Sequence, residues 1–190
     1  MDARERLVDA AQDLIAKNGV HGFSLREAAR AVKLDPAMVY RYFEDRDDLV
    51  RAVADRGITK LAKAMRAAEK RAGYLSPVEK LRIYGRVYLR FALKEGDLYR
   101  VMFGPDRGRT LPGAETPFAL LVQCLVEIGA ALNQKVDPGR AGALCWAGMH
   151  GVAMLALDGA FERTQPVAVE ALAESMLDAL IASVTARPTR

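Results

Sequence analysis

Six times along its 190 residues this chain spells out the start of a helix. Ser24-Leu25-Arg26-Glu27 and Ser76-Pro77-Val78-Glu79 have the form of capping boxes. In such a box the serine hydroxyl takes the glutamate amide while the carboxylate reaches back to the serine amide. Asp35-Pro36, Thr116-Pro117, Asp137-Pro138 and Gln165-Pro166 put a proline behind a polar residue, at the first helical position. There the missing N–H costs nothing and the fixed φ already suits a helix. No alternating β-branched run bounded by turns competes with these signals. The chain is therefore expected to be all-α, with about nine helices.

Apolar spacing fills in the helices between those starts. Leu7, Ala10, Ala11, Leu14 and Ile15 share one face at helical period, and Asn18-Gly19 stops that helix. Leu25, Ala28, Ala29 and Val32 follow, then a turn at Lys33-Leu34-Asp35. A long helix begins at Glu44-Asp45 and runs through Leu49, Val50, Val53, Ile58 and Leu61 toward Arg71. The segment GPDRGRTLPG, residues 104–113, reads as the one clear loop of the second half.

Composition excludes several classes. Hydrophobic residues are 51% and charged residues 27%, ordinary for a soluble globular protein. No apolar run reaches the roughly 18 residues needed to span a bilayer, and the first residues lack the apolar core of a signal peptide. Cys124, Cys145, His21 and His150 are too few for a disulfide scaffold or an ordinary zinc site, so neither metal nor cofactor is expected. A cytoplasmic location with reduced thiols follows. No phosphate-cradling glycine loop or paired-carboxylate motif appears, and Cys145 and His150 point to different faces of one helix. The chain is read as no enzyme. Its net charge of +4 suits an acidic partner only weakly, because residues 1–70 carry 14 Lys and Arg against 12 Asp and Glu.

The stretch LDPAMVYRYF, residues 34–43, is sharper. It begins like a helix at Asp35-Pro36, but Tyr40, Arg41 and Tyr42 cannot all face a core. Two short helices joined by a tight turn, behind a supporting helix, make a helix-turn-helix, whose second helix fits the major groove. Val39 and Phe43 would hold that helix down. Tyr40, Arg41 and Tyr42 would then meet phosphates and base edges.

Residues 4–53 resemble, position by position, the DNA-binding domain of the tetracycline-repressor (TetR) family. The matching features include Asp9-Ala10-Ala11, Gly19, Ser24-Leu25-Arg26, Ala28, Val39-Tyr40-Arg41-Tyr42-Phe43 and Asp48-Leu49. The resemblance implies a homodimeric transcription regulator, usually a repressor on a palindromic operator, released by a small molecule. It implies phosphate contacts from Tyr40 and Tyr42. Arg46 stands where the family usually has lysine. Base readers are expected among Pro36, Ala37, Met38 and Arg41, and Arg26 and Lys33 complete the expected DNA-binding set. Lys33 stands where the family turn usually has glycine, so the turn is either strained or differently shaped.

A three-helix DNA-binding domain over 1–48 and a helical ligand-binding and dimerisation bundle over 49–190 are thus expected. Leu81, Tyr84, Tyr88 and Phe91 share a helical face, and Arg82, Arg86, Arg90 and Lys94 form a stripe read as solvated surface. Trp146…His150-Gly151, with the YRVMFG stretch, resembles the C-terminal domain of a TetR subgroup marked by a Trp-His-Gly signature. Tyr84, Tyr88, Met102, Phe103, Trp146 and His150 are read either as packed core or as the mostly apolar lining of a site between bundle helices for a small molecule of unknown identity. Coupling to DNA is expected through the long helix that joins the two domains. The stripe Val169, Leu172, Met176, Leu180 and Val184, with the small-residue face of the Trp146 helix, is expected to form half of a four-helix dimer interface. No membrane partner is expected.

Overall fold

The computed structural model describes residues 2–104, 115–164 and 168–186. Every regular element among them is helical: α1 (Ala3–Asn18), α2 (Leu25–Ala31), a 3-10 turn (Met38–Arg41), α3 (Arg46–Ala72), α4 (Pro77–Lys94), α5 (Gly96–Phe103), α6 (Pro117–Ala131), α7 (Pro138–Leu157), α8 (Ala160–Thr164) and α9 (Val169–Thr185). The expected loop at 104–113 and the start signal Gln165-Pro166 lie almost wholly outside the described residues.

The start signals do what their chemistry requires. Ser24 accepts from the Glu27 amide while Glu27 accepts from the Ser24 amide, and the same exchange joins Ser76 and Glu79. Thr116 Oγ1 accepts the Ala119 amide at 3.0 Å, and Asp137 Oδ1 accepts those of Gly139 and Arg140 at 3.1 Å. Each closes donors that a helix start would otherwise leave open, typically worth ~1 kcal/mol.

Packing gathers the chain into two compact units, Met1–Thr59 with Glu95–Ala114, and Lys60–Lys94 with Glu115–Arg190. Residues 49–59 and α5 thus pack with the N-terminal helices rather than with the bundle. The reason is local. Leu49, Val50 and Val53 are fully buried, and Gly57 allows Met102 so close that an added Cβ would stand 2.5 Å from its Cγ. The core of this unit also holds Leu7, Ala11, Ile15, Phe23, Leu25, Ala28, Val39 and Phe43.

In the second unit α4, α6, α7 and α9 each touch the other three. Leu81, Leu125, Ile128, Val152, Ala153 and Leu177 are among its buried side chains. Burial of the leucine, isoleucine and valine side chains is worth ~1.5–3 kcal/mol each. Gly85 of α4 admits Leu177, whose Cδ2 would lie 2.3 Å from an added Cβ. Arg82 and Arg86 are not merely solvated: they reach across to α9, pairing with Glu174 and Asp178.

The end of α2 explains Lys33. Lys33 N–H donates to Arg30 O at 3.0 Å and Leu34 N–H to Ala29 O at 2.9 Å, the paired bonds of a Schellman stop. That stop needs a left-handed residue, and Lys33 supplies it at φ +57. The turn keeps the geometry that suits glycine and strains the lysine. Lys33→Gly is therefore expected to stabilise the chain by ~0.5–1 kcal/mol, about a few degrees in Tm by thermal denaturation.

Candidate nucleic-acid interface and ligand site

The residues after the Lys33 turn do not form the short α-helix expected from Asp35-Pro36. Asp35 Oδ1 accepts the Ala37 amide at 2.7 Å and its carbonyl accepts the Met38 amide at 2.8 Å, so the chain turns locally. One 3-10 turn follows, and both Tyr42 N–H and Phe43 N–H donate to Val39 O. Val39 and Phe43 are buried at 0% and 1% exposure, while Tyr40 is 54% exposed and Arg41 is exposed beside it. Tyr42 is half-buried. The Arg41 guanidinium lies 3.9 Å from Met38 Sδ, so the two side chains cover one patch of the turn.

Around this turn the charges are unequal in availability. Glu27, Asp35 and Asp45 are occupied with local backbone or hydroxyl donors. Arg26, Arg30, Lys33 and Arg41 are exposed and have no carboxylate partner among the described residues. Arg30 was not among the residues expected to meet DNA; its spacing of four from Arg26 on α2 is the signal that marks it. Pro36 and Met38 are half-buried and Ala37 is exposed. Arg46 is placed differently, donating to the Val20 carbonyl and pairing with Asp47 at 2.7 Å.

In the bundle, Tyr88, Trp146 and His150 meet. Trp146 Nε1 donates to Tyr88 Oη at 3.1 Å, and Tyr88 Oη lies 3.0 Å from His150 Nδ1. Since an indole N–H only donates, the tyrosine oxygen accepts there, and the direction of its bond with His150 Nδ1 follows the imidazole tautomer. The Phe118 ring meets Trp146 edge-on at 5.8 Å, a neighbour the sequence pattern did not single out. Tyr84 has another partner, donating to Glu69 Oε2 at 2.6 Å. Glu69 also pairs with Arg66 at 3.0 Å and Lys80 at 3.1 Å, and Lys80 with Glu127 at 2.6 Å. Burial raises the Glu69 carboxyl, but bonds from Tyr84, Lys80 and Arg66 outweigh it and hold the group below its ordinary value. Met102 and Phe103 belong to the first unit, where Phe103 packs edge-on against Tyr99 at 4.8 Å. Burial pushes the Cys124 thiol up to about 12 and that of Cys145 up to about 11, so neither is a nucleophile at neutral pH.

On α7, an added Cβ at Gly148 would meet Leu180 and Met176 at 3.2 Å, so part of the α9 stripe is used within the chain. A Cβ at Gly151 would meet nothing within 4 Å. Gly151 lies in a stripe with the exposed residues Leu144, Ala147 and Leu155. The exposed face of α9 carries Ala171, Ser175, Ala179 and Ser183 at intervals of four. Both serines donate to carbonyls of their own helix, Ala171 O and Leu180 O, so this face presents small, satisfied groups.

A buried scaffold, a glycine-like turn and an exposed aromatic-basic turn define a helix-turn-helix DNA-binding protein. Two family descriptions match: bacterial regulatory proteins of the tetR family over residues 7–53, and the tetracyclin repressor-like C-terminal domain over 81–180. The chain belongs to the TetR family of transcriptional regulators. It is 41% identical over 69 residues to an uncharacterised helix-turn-helix regulator of Haemophilus influenzae, a match spanning 36% of this chain and 34% of that protein. A Rhodococcus sp. RHA1 protein of unknown function has the same fold, with TM-score 0.81, 25% identity, and 98% and 97% of the two chains covered. FadR from Bacillus subtilis, solved with stearoyl-CoA, aligns at TM-score 0.69 and 17% identity over 94% of this chain and 97% of its own. Among the described residues no helix is long and apolar enough to cross a membrane.

Burial holds His150 below the ordinary imidazole pKa. The unfolded chain therefore takes up this proton first, and stability falls as pH drops below ~6.5. Chemical denaturation between pH ~7.5 and ~5.5 is expected to show a loss that is smaller in His150→Asn.

Proposed function

We propose that the protein is a ligand-responsive homodimeric repressor, working in the cytoplasm on a palindromic operator. The observation that carries the DNA reading is the set of exposed cations without carboxylate partners among the described residues, Arg26, Arg30, Lys33 and Arg41, on the same helix-turn-helix segment as Tyr40 and Tyr42. Tyr40, Tyr42, Arg26, Arg30 and Lys33 contact phosphate; Arg41, with Met38, Ala37 and Pro36, faces base edges. Methionine cannot donate a hydrogen bond, so its readout is apolar, against thymine methyl groups. Arg41→Ala should cost about 1–3 kcal/mol and relax base preference. Equal losses on selected and scrambled duplexes would reduce Arg41 to a phosphate clamp.

The dimer forms through α7 and α9. Gly151 supports this, because a glycine inside a helix costs about 1 kcal/mol relative to alanine and, among the described residues, nothing lies within 4 Å of where its Cβ would be. A second copy lying close against Leu144, Ala147, Gly151 and the Ala171–Ser183 face would use it. Gly151→Leu should then leave the folded monomer intact and shift sedimentation toward monomer, with operator binding weakened accordingly. A variant that stays dimeric moves the interface elsewhere.

The effector site is built on Tyr88, Trp146 and His150, with Tyr84 as a further candidate. The three hydrogen-bonded rings offer a polar anchor among the buried apolar side chains of α4 and α7, the usual make-up of such sites. FadR holds an acyl-CoA in this fold, which makes an apolar effector reasonable here. The Trp146…His150-Gly151 signature favours the Trp-His-Gly subgroup. A thermal-shift screen of metabolites identifies the ligand, since a bound ligand stabilises the state it binds.

A further inference from the structure

Arg46 opens α3 at the position where the family usually has lysine, and the resemblance places it in the expected DNA-binding set. Its guanidinium is engaged on three sides. One nitrogen donates to the Val20 carbonyl, another to Asp47 Oδ1 at 2.7 Å, and the group lies 5.3 Å from the centre of the Phe23 ring. Its side chain is only 26% exposed.

Electrostatics point the same way. A cation at a helix N-terminus faces the positive end of the helix dipole, an unfavourable place unless other groups hold it. The immediate sequence, Glu44-Asp45-Arg46-Asp47-Asp48, surrounds it with acids, and the next cation, Arg51, lies 3.7 Å from Asp45 and 3.5 Å from Asp48. A phosphate approaching Arg46 would meet an excess of carboxylates. The contrast with Arg26, Arg30, Lys33 and Arg41 is in kind.

What Arg46 does hold is the geometry of the reading head. Val20 follows the Gly19 stop of α1, and Phe23, 5% exposed, immediately precedes the Ser24 cap of α2. We propose that Arg46 is a positioning residue, which ties the end of α1 and the entry of α2 to the start of α3 and thereby sets how the Met38–Arg41 turn is presented to DNA. Lysine does not substitute, because one ammonium cannot fork between two acceptors and lie flat on a ring.

The test uses the intact chain with two probes: a duplex selected by the wild-type protein from a random pool, and a scrambled duplex of equal length. Arg46→Lys is expected to lose about tenfold in affinity for the selected duplex, comparable to one charged hydrogen bond, and less for the scrambled one. The slope of log K against log salt should stay unchanged. Wild-type binding by Arg46→Lys, or a slope reduced by about one in Arg46→Gln, makes Arg46 a phosphate contact and overturns the proposal. Lost thermal stability with unaltered binding by the folded fraction overturns it as well, leaving a purely structural role. Should the Arg46 variants not fold, Asp47→Asn decides. A freed phosphate clamp would bind DNA more tightly with a steeper salt slope, whereas a loosened positioning contact binds the selected duplex more weakly.

Discussion

A helix-turn-helix works only if its first helix stops on a fixed residue, because the stop sets the direction in which the next segment leaves. Here α2 stops through the Lys33 and Leu34 amides, which return to Arg30 and Ala29. Arg6 donates to the Val32 carbonyl at the same place, adding a cation to the negative end of the helix. From this stop the chain reaches Val39 and Phe43, whose burial fixes which side of the turn faces outward. Tyr40 and Arg41 are exposed because their neighbours are not. The available side chains of the head follow from a backbone angle that lysine adopts reluctantly.

The bundle solves a different problem, that of placing polar groups among apolar helices. Among the described residues no buried side-chain nitrogen or oxygen lacks a partner. Tyr84 and Tyr88 sit one helical turn apart on the same face of α4, yet they serve separate networks. Tyr84 joins the charged set of Glu69, Arg66 and Lys80, while Tyr88 joins the uncharged rings of Trp146 and His150. Burial favours neutral imidazole, which keeps the second network free of charge. Adjacent turns of one helix thus carry a salt-bridged tie and a neutral polar patch.

What could be read from the sequence was whatever depends on near neighbours. The caps at Ser24, Ser76, Thr116 and Asp137 each involve partners within three residues, so residue order alone specifies them. The buried Val39 and Phe43 are likewise a matter of spacing. The recognition segment misled because Asp35-Pro36 opens an Asx-type turn as readily as a helix, and only one 3-10 turn follows. The partners of Arg46 and Arg6 lie 26 residues away, beyond any local pattern. Tyr84 and Tyr88 were recognisable as an aromatic face, but their separate partners come from other helices. Met102 was grouped with the bundle aromatics by its chemistry, and its tight approach to Gly57 is a packing fact that composition does not contain.

The two buried cysteines have a practical consequence. A thiol whose proton is held this firmly is almost entirely protonated at neutral pH, and the thiolate is the form that reacts with maleimides and disulfide reagents. Cys124 additionally donates to the Pro77 carbonyl at 3.1 Å. With both thiols buried as well, the folded chain is expected to react little with such reagents. A single cysteine introduced at exposed Tyr74 could be labelled without removing either natural one, so a fluorophore can report on the protein with its core sequence intact.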